Sequence, residues 1–75
     1  MFKVVVAKTA QKKEIIMDEN NTVRDAWNDA FGEYVGEMLY INGRSVENVD
    51  SSFGSIGLDV NEVVYITCLA KVDAA

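Results

Sequence analysis

The sequence predicts an α+β domain in which one helix packs across a mixed sheet of four to five strands. Three observations lead there. Runs rich in β-branched residues, alternating with period two, stand near both ends of the chain at 2–8, 13–17 and 62–70. Between them, the stretch at 23–31 carries its apolar residues at helical spacing. An Asn-Gly pair at 42–43 separates two short apolar runs, the pattern of a two-residue hairpin loop.

Taken in order, FKVVVAK (2–8) places Phe2, Val4 and Val6 on one face of a strand. TAQK interrupts the pattern. KEIIM (13–17) resumes it, with Ile15 and Met17 on one face and Glu14 and Ile16 on the other, so the two runs form an antiparallel hairpin. DENN favours a turn, and Thr22 stands three residues before Asp25, a relative of the capping box in which the hydroxyl satisfies an orphan amide. In VRDAWNDAF, Val23, Ala26, Trp27, Ala30 and Phe31 fall at i, i+3, i+4, i+7 and i+8, with Arg24, Asp25, Asn28 and Asp29 opposite. Gly32 is placed to end this helix in the left-handed conformation. So short a helix draws most of its stability from packing on a sheet.

GEYVGE reads as a loop, followed by LYINGRSV (39–46). A turn at Asn42-Gly43 pairs Ile41 with Arg44, Tyr40 with Ser45 and Leu39 with Val46. Directly opposed residues share a face, so Leu39 and Val46 point inward and Tyr40 outward. SSFGSIGL (51–58) combines a serine start, two glycines and irregular apolar spacing, which suits a tight helical turn plugging one end of a core. EVVYITCLA is the most strand-like run, with Val64, Ile66 and Cys68 on one face. A strand so apolar belongs in the middle of the sheet.

Seventy-five residues make one domain, 1–75, which buries only about 60% of the surface exposed by its unfolded chain, so its core must be nearly continuous. One cysteine excludes an internal disulfide, and the absence of histidine removes the usual zinc sets. No metal or cofactor is expected. The apolar runs are far shorter than a bilayer span, and nothing resembles a signal peptide, so no membrane association is expected and the location is read as cytoplasmic.

Twelve acidic and seven basic residues give a net charge of −5, which argues against nucleic-acid binding as the main activity. The charge is uneven. Lys3, Lys8, Lys12 and Lys13 give the first thirteen residues +4, while the rest carry three basic and twelve acidic residues. The plain reading is a solvated basic hairpin edge that discourages strand-to-strand aggregation. Docking of an acidic partner is the functional alternative, and a salt-sensitive nucleic-acid contact a weaker one.

The order strand, strand, helix, strand, strand, short turn, strand is that of the β-grasp arrangement. From Leu39 to Ile66, LYINGRSVENVDSSFGSIGLDVNEVVYI resembles the second half of ubiquitin, and TVRDAW stands where ubiquitin-like proteins begin their helix. TVRDAW, LYINGRSV and DVNEVVYI are similar also to the thiamine and molybdopterin sulfur carriers. The resemblance implies a ubiquitin-like β-grasp domain. Its functions include modifiers, sulfur carriers, ferredoxins and adaptors, because a fold does not dictate a function. Modifiers and sulfur carriers are activated at a C-terminal Gly-Gly, whereas this sequence reads KVDAA there. Activation at the C-terminus is therefore the alternative reading, and a non-conjugated interaction module the first.

Ubiquitin-like domains engage partners through the open face of the sheet, and the resemblance places Tyr40 at the centre of that face, with Tyr65 and Thr67 beside it. Strand parity also puts Tyr40 outside. Val5 and Ile16 extend the surface into a semi-apolar patch of the kind that marks interaction sites. The expected partner is another protein, or a second copy bound through the same face. Trp27 is expected in the core, and Cys68 is expected to be a small buried hydrophobe rather than a reactive thiol. Arg44 is a candidate for a weak surface ion pair. Without histidine, a motif-placed acidic pair, a phosphate-cradling glycine loop or four cysteines, no catalysis is expected.

Overall fold

The computed structural model describes residues 1–8, 11–59 and 61–68. Five strands run as β1 (Phe2–Lys8), β2 (Gln11–Met17), β3 (Leu39–Ile41), β4 (Arg44–Ser45) and β5 (Val64–Cys68), with one helix, α1 (Val23–Phe31), and a 3₁₀ turn at Phe53–Ser55. They form one mixed sheet in the order β2-β1-β5-β3-β4. β1 and β5 pair in parallel at its centre, and the other pairings are antiparallel. The apolar final strand thus has neighbours on both sides, as its composition predicts.

β2 begins at Gln11, two residues before the apolar run predicts. Gln11 and Lys12 are poor strand formers, but the antiparallel register continues through them to Ala7 and Lys8. Pairing, not propensity, sets the start. β5 covers Val64–Cys68, and the predicted extension through Leu69 and Ala70 lies outside the described residues.

α1 has the boundaries its periodicity predicts. Thr22 Oγ1 accepts from Asp25 N–H (3.1 Å), and Asp25 Oδ2 accepts from Thr22 N–H (3.0 Å), completing the capping box. The two amides that precede Asp25 in the helix are satisfied from far along the chain. Val23 N–H donates to the Ser51 carbonyl and Arg24 N–H to that of Val49. Phe53 and Gly54 N–H donate to the carbonyls of Asn21 and Glu19, so the 3₁₀ turn is tied to the loop that enters the helix. Gly32 ends α1 with φ +98°, but its ψ of −161° is far from the left-handed helical value expected.

One sheet face carries the core. Phe2, Val4 and Val6 of β1, Leu39 and Ile41 of β3, and Val64 and Ile66 of β5 pack with Met17 against Val23, Ala26, Trp27 and Ala30 of the helix. Trp27 is 1% exposed, in line with its predicted core role. Phe53 closes one end against Phe2, the ring centroids 5.8 Å apart. At the other end Phe31 is half-buried, meets Trp27 edge-on at 5.1 Å and lies with it beneath the Lys8 ammonium.

Candidate interaction surface

Parity sends the alternate strand residues to the opposite face. Lys3, Val5 and Ala7 of β1 lie there with Lys12, Glu14 and Ile16 of β2, Tyr65 and Thr67 of β5, Tyr40 of β3 and Ser45 of β4. Register aligns them into rows. Lys12, Ala7, Thr67, Tyr40 and Ser45 run straight across all five strands, and Glu14, Val5 and Tyr65 form the next row. The helix and the 3₁₀ turn pack on the other side, so no described element covers this face.

All five residues predicted for the surface therefore lie on one face, with differing exposure. Tyr65 is 53% and Ile16 56% exposed, Thr67 is exposed, and Tyr40 is half-buried. Val5 corrects the expectation of an exposed patch residue, since only 6% of it is accessible. It is opposed directly by Glu14 on one side and Tyr65 on the other, positions whose Cβ atoms stand about 5 Å away. Short and hemmed in by longer neighbours, Val5 serves as the floor of the surface, and the tyrosines and Ile16 form its relief.

Asn42 fixes the position of Tyr65. Its backbone N–H donates to the Tyr65 carbonyl (2.9 Å), and its Oδ1 accepts from Tyr65 N–H (3.0 Å). The turn that carries Asn42 has positive φ at both central residues, +50° at Asn42 and +85° at Gly43, as the predicted hairpin demands. No local sequence pattern announces this polar clamp. An asparagine in a hairpin turn is accounted for by its φ alone, and the long-range bond shows only once β3 is laid beside β5.

Lys3 and Lys12, two of the four lysines that make the first hairpin basic and for which an acidic partner is the functional alternative, belong to this face. Both project from the open face and are exposed, and neither forms an ion pair among the described residues. The period-two alternation that places Val5 on this face places Lys3 there as well.

On the helix side, Arg24 makes a two-pronged contact with Asp50, Nε to Oδ1 at 2.7 Å and Nη2 to Oδ2 at 3.3 Å, and stacks 5.4 Å from the Tyr34 ring. The Asp50 carboxylate raises the Arg24 pKa above its ordinary value. Asp25, Asp29 and Glu33 are exposed nearby, so this side of the molecule is acidic. Arg44, the sequence candidate for an ion pair, makes none among the described residues.

Cys68 is half-buried and packs against the core. Burial first, and then the Glu37 carboxylate, raises its thiol pKa, with Lys8 opposing. Such a thiol is a poor nucleophile at neutral pH. A groove of about 590 Å³ lies at the β4 edge, with Ile41, Val46 and Leu58 among its apolar lining and Arg44, Glu47 and Asn48 among its polar lining. Among the described residues, no three His, Cys, Asp or Glu side chains are grouped to hold a metal ion. No helix among them is long and apolar enough to cross a membrane. The KVDAA segment, on which the C-terminal activation alternative turns, lies outside the described residues. Comparisons with protein-family models, with curated proteins and with solved structures find no match to this chain.

Proposed function

We propose that this chain is a non-catalytic protein-interaction module of ubiquitin-like β-grasp type, engaging another protein through the open face of its sheet. The fold assignment is supported by the strand order, with β1 and β5 parallel at the centre and the only described helix following the first hairpin. The functional reading is carried by one observation. Two tyrosines and an exposed isoleucine stand on a sheet face that no described element covers, around a valine that is already buried. Large apolar side chains left on a rigid sheet are the raw material of an interface, and tyrosine adds a hydroxyl that stays satisfied in water.

A photo-crosslinking amino acid placed at Tyr65, compared with the same group at Asp29 on the helix side, tests this in the cells that make the protein. The expected result is a discrete cross-linked protein from position 65 and none from position 29, lost when Tyr40→Ala is added. Equal capture from both positions, or none from position 65, overturns the proposal.

A further inference from the structure

We infer that the occupant of this face is an acidic, extended polypeptide segment, held by Lys3 and Lys12 on either side of the Val5–Tyr65 centre. The inference rests on the interaction-module reading and adds the chemistry of the partner. It begins from a charge that the fold leaves unexplained. The chain carries −5, yet the charged residues on the open face are Lys3, Lys12 and Glu14, a local +1. Neither lysine has an ion-pair partner among the described residues, where Arg24–Asp50, on the helix side, is the salt bridge found.

Edge protection accounts for part of this pattern. Lysines on an edge strand deter pairing with another chain, and β2 is an edge, so Lys12 and Lys13 need no further role. Lys3 is different. It lies on β1, a strand inside the sheet, where it pairs with Ile16 of β2 one residue before the pairing with β5 begins at Val4, so it does not stand on an edge strand.

The placement of the two cations defines the occupant. Lys3 precedes Val5 by two residues, and Lys12 lies opposite Ala7, two residues beyond Val5. Along the strand direction the two backbone positions therefore stand four residues apart, about 13 Å, on either side of the Val5 row. An extended segment with acidic residues four apart and an apolar one between them matches that span, its apolar residue meeting Tyr65 over Val5. Glu14 stands on β2 between the rows of Lys3 and Lys12, so the segment is expected to run over β1, its central residue turned toward Tyr65 and away from that carboxylate and one acidic side chain reaching across to Lys12.

The test uses the whole ¹⁵N-labelled chain and three probes, a poly(Glu,Tyr) copolymer, a poly(Lys,Tyr) copolymer and a single-stranded DNA oligonucleotide. The first is expected to shift the amides of Lys3, Val5, Lys12, Tyr65 and Thr67 and to bind more tightly than the other two. Lys3→Gln/Lys12→Gln is expected to weaken it about threefold or more, since two exposed charge contacts are lost. Lys13→Gln, on the other face of β2, should change it less than about twofold, and Glu14→Gln should strengthen it.

Absent or equal binding of the basic copolymer and the acidic one overturns the acidic occupant. So do tighter binding of the oligonucleotide, shifts confined to β2, or self-association that the acidic copolymer does not displace. If the Tyr65 cross-linker captures a protein but the double lysine variant changes nothing, the acidic occupant falls and the interaction module stands. Loss of capture at Tyr65 removes both.

Discussion

Asn42 and Tyr65 are joined by two reciprocal hydrogen bonds, backbone to backbone at 2.9 Å and Tyr65 N–H to Asn42 Oδ1 at 3.0 Å, although they stand 23 residues apart in the chain. Asparagine performs two tasks there, accepting a long-range bond and tolerating φ of +50°. Substitution separates them. Asn42→Gly keeps the backbone conformation and loses the acceptor, with an expected cost of about 1 kcal/mol. Asn42→Ala loses both, with an expected cost of about 2–3 kcal/mol. Urea unfolding of the two variants checks the order, and equal costs would leave the turn conformation without energetic weight.

The capping box makes helix stability depend on acid. Backbone hydrogen bonding from Thr22 is the largest influence holding the Asp25 carboxyl below its ordinary value, assisted by the Asn21 side chain, the Thr22 hydroxyl and Arg24, with desolvation opposing. A depressed folded-state pKa contributes stability above the unfolded value and loses it as pH falls through the folded one. The stability difference between the native chain and Asp25→Asn is therefore expected to be constant near neutral pH. It should shrink below about pH 4. Thr22→Ala should cost about 1 kcal/mol at pH 7. Denaturant titrations at several pH values check both, and a difference that grows in acid would refute the assignment.

Phe53 ties the 3₁₀ turn to the sheet. It is fully buried, its ring packs beside Phe2, and its N–H donates to the Asn21 carbonyl ahead of the helix. Phe53→Ala removes a large side chain from a small core, at an expected cost of about 3–5 kcal/mol. For a chain of this length the total is only about 4–11 kcal/mol, so the variant should be partly unfolded at ordinary temperature. Ile56→Ser, a few residues on and partly exposed, should be near neutral. Thermal melts followed by circular dichroism distinguish the two.

What could be read in advance was what short-range chemistry determines. The helix limits follow from Thr22, Gly32 and a 3.6-residue stripe, and the hairpin register follows from a two-residue turn that Asn-Gly strongly favours. The side on which Tyr40, Tyr65, Thr67, Val5 and Ile16 lie follows from parity alone. Exposure does not. Val5 and Ile16 share a face, but Val5 is flanked on both sides and Ile16 stands on an edge strand, a difference set by strand order rather than by residue type. The ties from Val23 and Arg24 to the 49–51 segment and the Lys8 ammonium over Trp27 are likewise products of the assembled chain. Their partners lie too far apart in sequence for a local pattern to announce them.

The interaction reading requires that the surface tyrosines be dispensable for folding. Tyr65 is more than half exposed and its hydrogen bonds to Asn42 use only its backbone, so Tyr65→Ala uncovers Val5 but leaves the helix-side core intact. Tyr40 is half-buried and paired with Thr67 and Ser45, so its loss gives up cross-strand packing worth about 0.5–1 kcal/mol. The double variant Tyr40→Ala/Tyr65→Ala is expected to stay folded, destabilised by about 1–2 kcal/mol and with the Trp27 emission spectrum unchanged. Partner capture should nevertheless be lost, because tyrosines at the centre of a face contribute to binding far more than to folding. Urea unfolding beside the pull-down checks this directly. A variant that unfolds would make the tyrosines structural, whereas a folded variant that still captures the same protein would move the interface off this face.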